Sequence, residues 1–565
     1  MNKKIFSYLL VSFVCMLALF GCKNVSKPPE EIIVETPEQL NETAADNIKR
    51  TLQFALSNEG DIGDSVFIAN TALIDLLYEK TSYTPFWSSS ERWNPIADSL
   101  VAFIEHAKLY GLFPEDYHAP HLNDIRQRIK DDTLAQTARR NAVLWSRADL
   151  MLTDAYLHIV RDIKLGRLPK DSITLRKDTL LTDDFYEQQF NILMKAGAVV
   201  RNVRYLEPKH TGYHQLKAAI PKFLDSADYT EYTIVPSFKT DSVNYRRLLQ
   251  KRLFEGGYIA YDSVAADSVI LATAIKTFQK SKQIKADGKA GEATLRELNT
   301  TDRERFVRIA ITLDKYKMLP EKMPERFIWV NLPAYNMRLQ VNDTIKLNSK
   351  IICGKPRTRT PLLNSAISEI ITYPQWTVPA SIIEKEILPA IKRDPGYLAL
   401  KGFSLINSDG EEVDPYTVDW SKYKKGIPYK VVQGSGDDNA LGVLKFNFPN
   451  KYAVYLHDTN QRSLFAQTSR SLSHGCVRVQ EWQKLALFMI RRDHGDSTKL
   501  YGAPPMEDSL FTWLERKEKH SIPVRNRLPV FIRYFTCEGK ESGIAFYEDI
   551  YGEDRILQEK YFAGK

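Results

Sequence analysis

The chain has 565 residues, 43% hydrophobic and 26% charged, which is long enough for several domains with real cores and ordinary for a soluble protein. Its formal charge is +8, from 78 basic and 70 acidic side chains. The two signs are interspersed, with no basic stripe and no nucleic-acid-binding motif, which argues against a nucleic-acid partner.

In chain order, residues 1–21 read as a secretory signal: Lys3 and Lys4, an apolar run from Ile5 to Phe20, then Gly21. Removing it would lower the charge from +8 to +6. Leu19-Phe20-Gly21-Cys22 resembles a lipobox, so Cys22 is predicted to be lipidated and to become the new N-terminus. A plain signal peptide or signal anchor is the alternative. The cysteine directly after a small residue at the end of the apolar run favours lipidation. No other run is long enough to span a bilayer. Lys23 rather than Asp follows Cys22, which resembles lipoproteins sorted to the outer membrane. The expected location is therefore the periplasmic face of the envelope, with the outer membrane as partner through the lipid.

Residues 22–45, rich in Glu, Pro and Asn, read as a flexible tether. From 46 to 235 the apolar period is helical, as in Ile96 to Ile104 and Leu150 to Ile163, with turns at Gly111-Leu112-Phe113-Pro114 and Gly166-Arg167-Leu168-Pro169. His106, His118, His121 and His158 fall there without ligand spacing and read as structural or surface residues. Residues 241–300 predict three short amphipathic helices and a turn at Ala286-Asp287-Gly288. From Arg326 the pattern turns to strands at Phe327 to Leu332, Arg338 to Val341, Ile351 to Cys353 and Ser368 to Tyr373. Helix-like and polar segments interrupt this series from 379 to 440. Trp482 to Ile490 has helical spacing, and Leu528 to Phe535 and Gly543 to Phe546 read as late strands. The fold class is multidomain α+β: helices first, then a small three-helix unit, then a β-rich domain.

The chemistry concentrates in Tyr452 to Val479. Alternation runs up to His457, as in a half-buried strand that ends at a site, and puts Tyr455 and His457 on one face. Ser473-His474-Gly475-Cys476 is a tight polar turn, followed by extended Val477-Arg478-Val479. A thiol attacks as its thiolate, and a nearby imidazole is the usual means of producing one. Gly475 would let the backbone approach a substrate carbonyl, with amides around Cys476 for an oxyanion. A structural cysteine is the plain alternative, although this turn is a poor packing element. A metal site of His457, His474 and Cys476 lacks a fourth ligand at a recognisable spacing. Cysteine acyl transfer is the preferred reading, without metal or cofactor.

Five cysteines are present: Cys15, Cys22, Cys353, Cys476 and Cys537. After the signal and the lipidated residue three remain, so at least one is a free thiol in an oxidising compartment. Cys353 and Cys537 are either a pair or two buried thiols, and their strand-like settings favour buried thiols.

The spacing of His457, Ser473-His474-Gly475-Cys476 and Arg478 resembles the active-site motif of YkuD-type L,D-transpeptidases. Ile352-Cys353-Gly354-Lys355-Pro356, Lys385-Glu386-Ile387-Leu388-Pro389, Asn439-Ala440-Leu441-Gly442 and Phe448-Pro449-Asn450 resemble the large periplasmic members with an inserted lid. The resemblance implies a helical scaffold domain over 46–235, a peptidoglycan-binding-like domain over 241–300 and a catalytic domain over 321–540. It places the lid at 379–440, and a tail at 541–565 is expected to pack on the catalytic domain. It implies that Cys476 is the nucleophile and His457 its base and later proton donor. His474 would shape the pocket or polarise substrate, and Ser473 would hold the turn. Arg478 would fix a substrate carboxylate or brace the loop, while Tyr455 and Trp376 line the groove or belong to the core.

The implied substrates are peptidoglycan stem peptides, as donor and acceptor. The thiolate would attack the bond before a tetrapeptide's terminal D-alanine, and a neighbouring stem's amine would resolve the thioester. Carbapenems would acylate Cys476. Alternatives are an L,D-carboxypeptidase or D-amino-acid exchange enzyme using the same acyl-enzyme, or a catalytically inactive wall-binding lipoprotein.

Overall fold

The computed structural model describes residues 27–134, 139–171, 173–176, 180–262, 265–282, 284–494 and 506–565. The expected signal segment 1–21 and Cys22 lie outside them. Among the described residues, no helix is long and apolar enough to cross a membrane. The chain divides into two compact units, one reaching to Arg167 and resuming from Asp178 to Pro208, the other taking Leu168–Lys177 and all from Lys209 on.

The first unit is helical. Its opening helix, α1 (Pro37–Ser57), starts where Thr36 accepts from Gln39 N and proline occupies the first turn. Residues 37–45 are thus helical rather than part of a tether. Leu40 and Ala44 are buried, so the Glu- and Asn-rich composition of the segment is that of a helix's exposed face. The central helix, α2 (Ala142–Lys164), is buried along nearly its whole length. Its buried Asp149 accepts from Phe86 N, Trp87 N and the Tyr78 hydroxyl. The histidines here are structural or at the surface: His118 Nε2 lies 2.7 Å from Asp154, His158 packs edge-on to Tyr117, and His121 is exposed.

The helical region was expected to run to residue 235, but the first unit ends at Pro208. The next helix, α3 (Thr211–Ser226), packs in the second unit on the hairpin of Cys537–Lys540 and Gly543–Phe546. Gly539 permits the approach, since a Cβ there would fall 2.2 Å from Gln215 O.

Within the second unit, α4 (Tyr245–Glu255), α5 (Ser268–Ser281) and α6 (Glu292–Asn299) enclose a small core of Leu249, Leu253, Ile275, Phe278 and Leu298. The buried Gln279 side chain ties down their connecting turn, accepting from Gly288 N at 2.9 Å and donating to Asp287 at 2.9 Å. A capping box at Thr301 and Glu304 then starts α7 (Asp302–Lys317).

Among the described residues nine strands form one sheet: β1 (Arg326–Asn331), β2 (Asn336–Val341), β3 (Thr344–Gly354), β4 (Leu363–Thr372), β5 (Leu444–Asn447), β6 (Leu456–His457), β7 (Ser471–Ser473), β8 (Val477–Val479) and β9 (Ser521–Arg533). The order is β7-β3-β8-β6-β5-β4-β9-β1-β2, and β2 also pairs with β3, so the sheet closes on itself. The inner face buries Ile328, Val330, Ile351, Ile370, Phe446, Leu456, Val477 and Val479. Alternation therefore turns the neighbours of Leu456 and Val477 to the other face.

Between β4 and β5, residues 379–440 include helical turns and two strands, Phe403–Ile406 and Lys430–Gln433, and Lys430–Gln433 pairs with Trp376–Thr377. This excursion has its own core of Ile383, Ile387, Ile391, Leu405, Trp420 and Val431. A π turn at Ile383–Ile387 lies just before Pro389, which has no N–H to give to Lys385 O. The last helix, α8 (Glu553–Tyr561), buries Asp554 at 2.5 Å from Lys315 Nζ. Cys353 and Cys537 are separate buried thiols, each pushed up to about 12 by burial.

Candidate active site

The site lies on the outer face of β5, β6 and β8. Strands β6 and β8 run parallel, with His457 opposite Arg478. One step earlier, Val477 N donates to Tyr455 O at 3.1 Å, so Cys476 stands beside Tyr455. With a period of two, Tyr455, His457, Cys476 and Arg478 share one face, and the thiol and imidazole are diagonal neighbours on it. On the far side of β6, Lys445 pairs with His457 and completes a Lys445–His457–Arg478 row.

The turn before Cys476 is fixed by Ser473, whose Oγ accepts from Gly475 N at 3.1 Å and donates to Cys476 O at 2.6 Å. Gly475 has a φ of +123°, a conformation that glycine adopts without strain. Thr360 braces the turn from behind, donating to Gly475 O at 2.8 Å and accepting from Gly354 N at 2.9 Å.

Cys476 is partly exposed, and its Sγ lies 3.9 Å from Ala453 O. Desolvation raises its pKa, opposed by a hydrogen bond from Tyr455 and by the charges of Lys445 and Arg478. His457 is only 3% exposed. Burial and the neighbouring Arg478 charge lower its pKa to about 3, while the carbonyls of Asp458 and Leu441 favour its protonated form. The ring is therefore neutral near pH 7, and its Nδ1 has no hydrogen-bond partner among the described residues. Asp458 is not its partner: that carboxylate accepts from Val443 N at 3.1 Å and from Arg462 at 2.7 Å.

The remaining candidates are spread around this centre. The rings of Tyr455 and His457 meet edge-on at 6.1 Å. Trp376 hydrogen-bonds Tyr455 and packs near Phe403 of the 379–440 excursion. His474 is exposed and turns to Glu386, with Nε2 2.6 Å from Oε1. Arg478 donates from Nη1 to Gln461 at 3.2 Å, while its buried Nε has no partner among the described residues. Among the described residues, no group of three or more His, Cys, Asp or Glu could hold a metal ion.

Sequence reasoning missed Lys445 and the contact role of Glu386. Lys445 carried a weak signal, because Lys445 and Asn447 alternate with buried Leu444 and Phe446. Glu386 carried none of its own, since its partner is 88 residues away.

Residues 325–493 match the family model described as the L,D-transpeptidase catalytic domain, YkuD, and every residue of the face above lies within that span. The chain carries a YkuD L,D-transpeptidase catalytic domain. Residues 72–220 match a scaffold domain, and residues 242–298 match a domain described as "Putative peptidoglycan binding domain". The chain is 34% identical over 264 residues to a curated "Putative L,D-transpeptidase" of Haemophilus influenzae, a match covering 47% of this chain and 50% of the relative. It thus spans about half the length of that relative. Among solved structures it resembles an L,D-transpeptidase from Mycobacterium smegmatis at 12% identity, covering 37% of this chain and 58% of that one, with a TM-score of 0.17. An L,D-transpeptidase from Stackebrandtia nassauensis matches at 17% identity over 46% and 88% of the two chains, with a TM-score of 0.15. At such scores the likeness carries no argument about the L,D-transpeptidase site.

Proposed function

We propose that this protein is a peptidoglycan L,D-transpeptidase that joins stem peptides through a thioester on Cys476. One observation carries the reading: a partly exposed thiol and a neutral imidazole share one face of adjacent parallel strands inside the matched catalytic domain. The adjoining peptidoglycan-binding match at 242–298 supports a wall substrate.

In the resting site burial favours the uncharged thiol and the uncharged ring. The proton therefore moves as the attack begins. The imidazole of His457 accepts the thiol proton while sulfur bonds the carbonyl carbon of the residue before a terminal D-alanine. Gly475 N already donates to Ser473, which leaves the Cys476 amide as the candidate oxyanion donor. The C–N bond then breaks, and D-alanine leaves with the proton held by the imidazolium. A ring with a pKa of about 3 is a weak base but a strong acid toward a departing amine. An acceptor amine attacks the thioester, gives its proton to the ring, and the thiolate leaves to recover it. One peptide bond is broken and one is formed, without ATP.

The 379–440 excursion would shield the thioester from water. Lipidation of Cys22 would hold the enzyme at the periplasmic face of the outer membrane. The test is intact-mass measurement after mixing with a tetrapeptide stem. The expected result is an adduct on Cys476 equal to the donor less D-alanine, absent in Cys476→Ala. Absence of any adduct in the wild type would sink the reading. Product analysis with and without an acceptor stem then separates cross-linking from hydrolysis or D-amino-acid exchange.

A further inference from the structure

Lys445 is a half-buried cation on the outer face of β5, directly across from His457. Its Nζ sits 3.8 Å from the centre of the Tyr455 ring. Among the described residues its ammonium makes no hydrogen bond and no ion pair. Of the two acids it faces, Cys476 is held by burial toward its uncharged thiol, and Glu369 is taken up by Ser521 and by Asn447 Nδ2 at 2.6 Å. Buried lysines elsewhere in this unit are paired: Lys315 with Asp554 at 2.5 Å and Lys317 with Asp314 at 2.8 Å. Withdrawing an ammonium from water without a counter-ion is unfavourable, and an aromatic face offsets only part of that cost. The arrangement is incomplete until an anion arrives.

We infer that Lys445 forms a carboxylate subsite that reads the free C-terminus of the acyl donor's leaving residue. The inference rests on the transpeptidase reading of the site and names the group that would select its donor. In that reaction the terminal carboxylate is one residue beyond the attacked carbonyl, about 3.8 Å along the chain. Tyr455 stands beside Cys476 and carries Lys445 on its ring, so the ammonium is one side chain away from the nucleophile. Arg478 is the rival cation. It lies on the strand of the nucleophile and is held through Nη1 by Gln461, whereas Lys445 has no such anchor. A donor lacking the free carboxylate, such as a peptide amide or a stem extended by another residue, would leave the ammonium unpaired and bind poorly.

The test compares two donors, a tetrapeptide stem ending in free D-alanine and the same stem ending in D-alanine amide. The rate of adduct formation on Cys476 is measured in the wild type, Lys445→Gln, Lys445→Arg and Arg478→Gln. Alkylation of Cys476 by iodoacetamide in each variant reports an intact site. The wild type is expected to prefer the free acid by roughly tenfold to hundredfold in kcat/KM. Lys445→Gln slows both donors, since the lysine charge also favours the Cys476 thiolate, but slows the acid several-fold more than the amide and so loses most of that preference, and Lys445→Arg retains part of it. Equal slowing on both donors in Lys445→Gln overturns the inference. So does a preference that survives in Lys445→Gln and vanishes in Arg478→Gln. A wild type that takes up both donors equally overturns the lysine subsite alone. One that takes up neither overturns the transpeptidase reading and the subsite with it.

Discussion

Glu386 Oε1 lies 2.6 Å from His474 Nε2, joining the 379–440 excursion to the turn that carries Cys476. The π turn at Ile383–Ile387 sets the carboxylate over the histidine, and neighbouring Ile383 and Ile387 anchor it in the excursion's own core. Both side chains are substantially exposed, so the pair is worth about 0–1 kcal/mol to global stability. Its expected effect is local. Glu386→Gln should leave Tm nearly unchanged while amide exchange in Ile383–Ile391 and alkylation of Cys476 both quicken. Exchange and alkylation rates equal to wild type would show that the contact does not hold the excursion down.

Burial of His457 makes stability depend on pH in a definite direction. Its pKa falls from 6.5 to about 3 in the folded protein, so the unfolded chain takes up the proton first. The stability carried by the neutral ring is full above pH 6.5 and is lost as pH falls toward 3. By pH 4.5 the loss is about 2–3 kcal/mol. Asp149, raised to about 6, and Glu553, raised to about 7, act in the opposite sense, losing their contribution as pH rises through those values. Both remain in His457→Gln and cancel in the comparison. Urea midpoints at pH 7.5 and 4.5 should therefore fall further in the wild type than in His457→Gln, and parallel falls would refute the buried neutral ring.

The helical, three-helix and β-rich sections were legible because their periods follow from burying one face of each element. The face shared by Tyr455 and His457 was legible for the same reason, since alternation is local. The position of α3 was not, because its helical period is the same whichever unit it packs on. What decides is Gly539, more than 300 residues away, which opens space for the helix backbone. The acidic, polar stretch before Asp46 read as a tether because composition cannot reveal the Thr36 cap or the two apolar positions that dock α1. Lys445 and Glu386 stayed hidden because their meaning is in register and approach, which spacing along the chain does not encode.

Tyr551 links the C-terminal segment to the turn that carries Cys476. Its hydroxyl donates to Gly354 O at 2.8 Å and accepts from Thr360 N at 3.2 Å, and Thr360 in turn donates to Gly475 O at 2.8 Å. Tyr551→Phe strands a buried carbonyl and a buried amide, which costs about 1–3 kcal/mol. The same change should lower kcat for acylation severalfold with KM nearly constant, because the turn loses its alignment rather than its ligand contacts. Leu557→Ala, in the core side of α8, is the control: it should destabilise by about 2–5 kcal/mol and leave kcat alone. Equal kcat in the two variants would reduce Tyr551 to a packing residue.

The three described cysteines differ in what a thiol reagent meets. Cys353 and Cys537 are buried, with pKa values pushed up to about 12, whereas Cys476 is partly exposed and has cations beside it. At pH 8 a thiol of pKa 12 is ionised to roughly one part in ten thousand, and burial denies it the reagent as well. In protein lacking residues 1–22, iodoacetamide at pH 8 should label Cys476 alone, and all three cysteines should react once the chain is denatured. Prior treatment with a carbapenem should remove the native signal and leave two thiols to react after denaturation. Labelling of Cys353 or Cys537 at the rate of Cys476 would contradict the packing of both. A native protein that takes up no label at all would close the sulfur off from any donor, because a site too tight for a two-carbon reagent cannot admit a stem peptide.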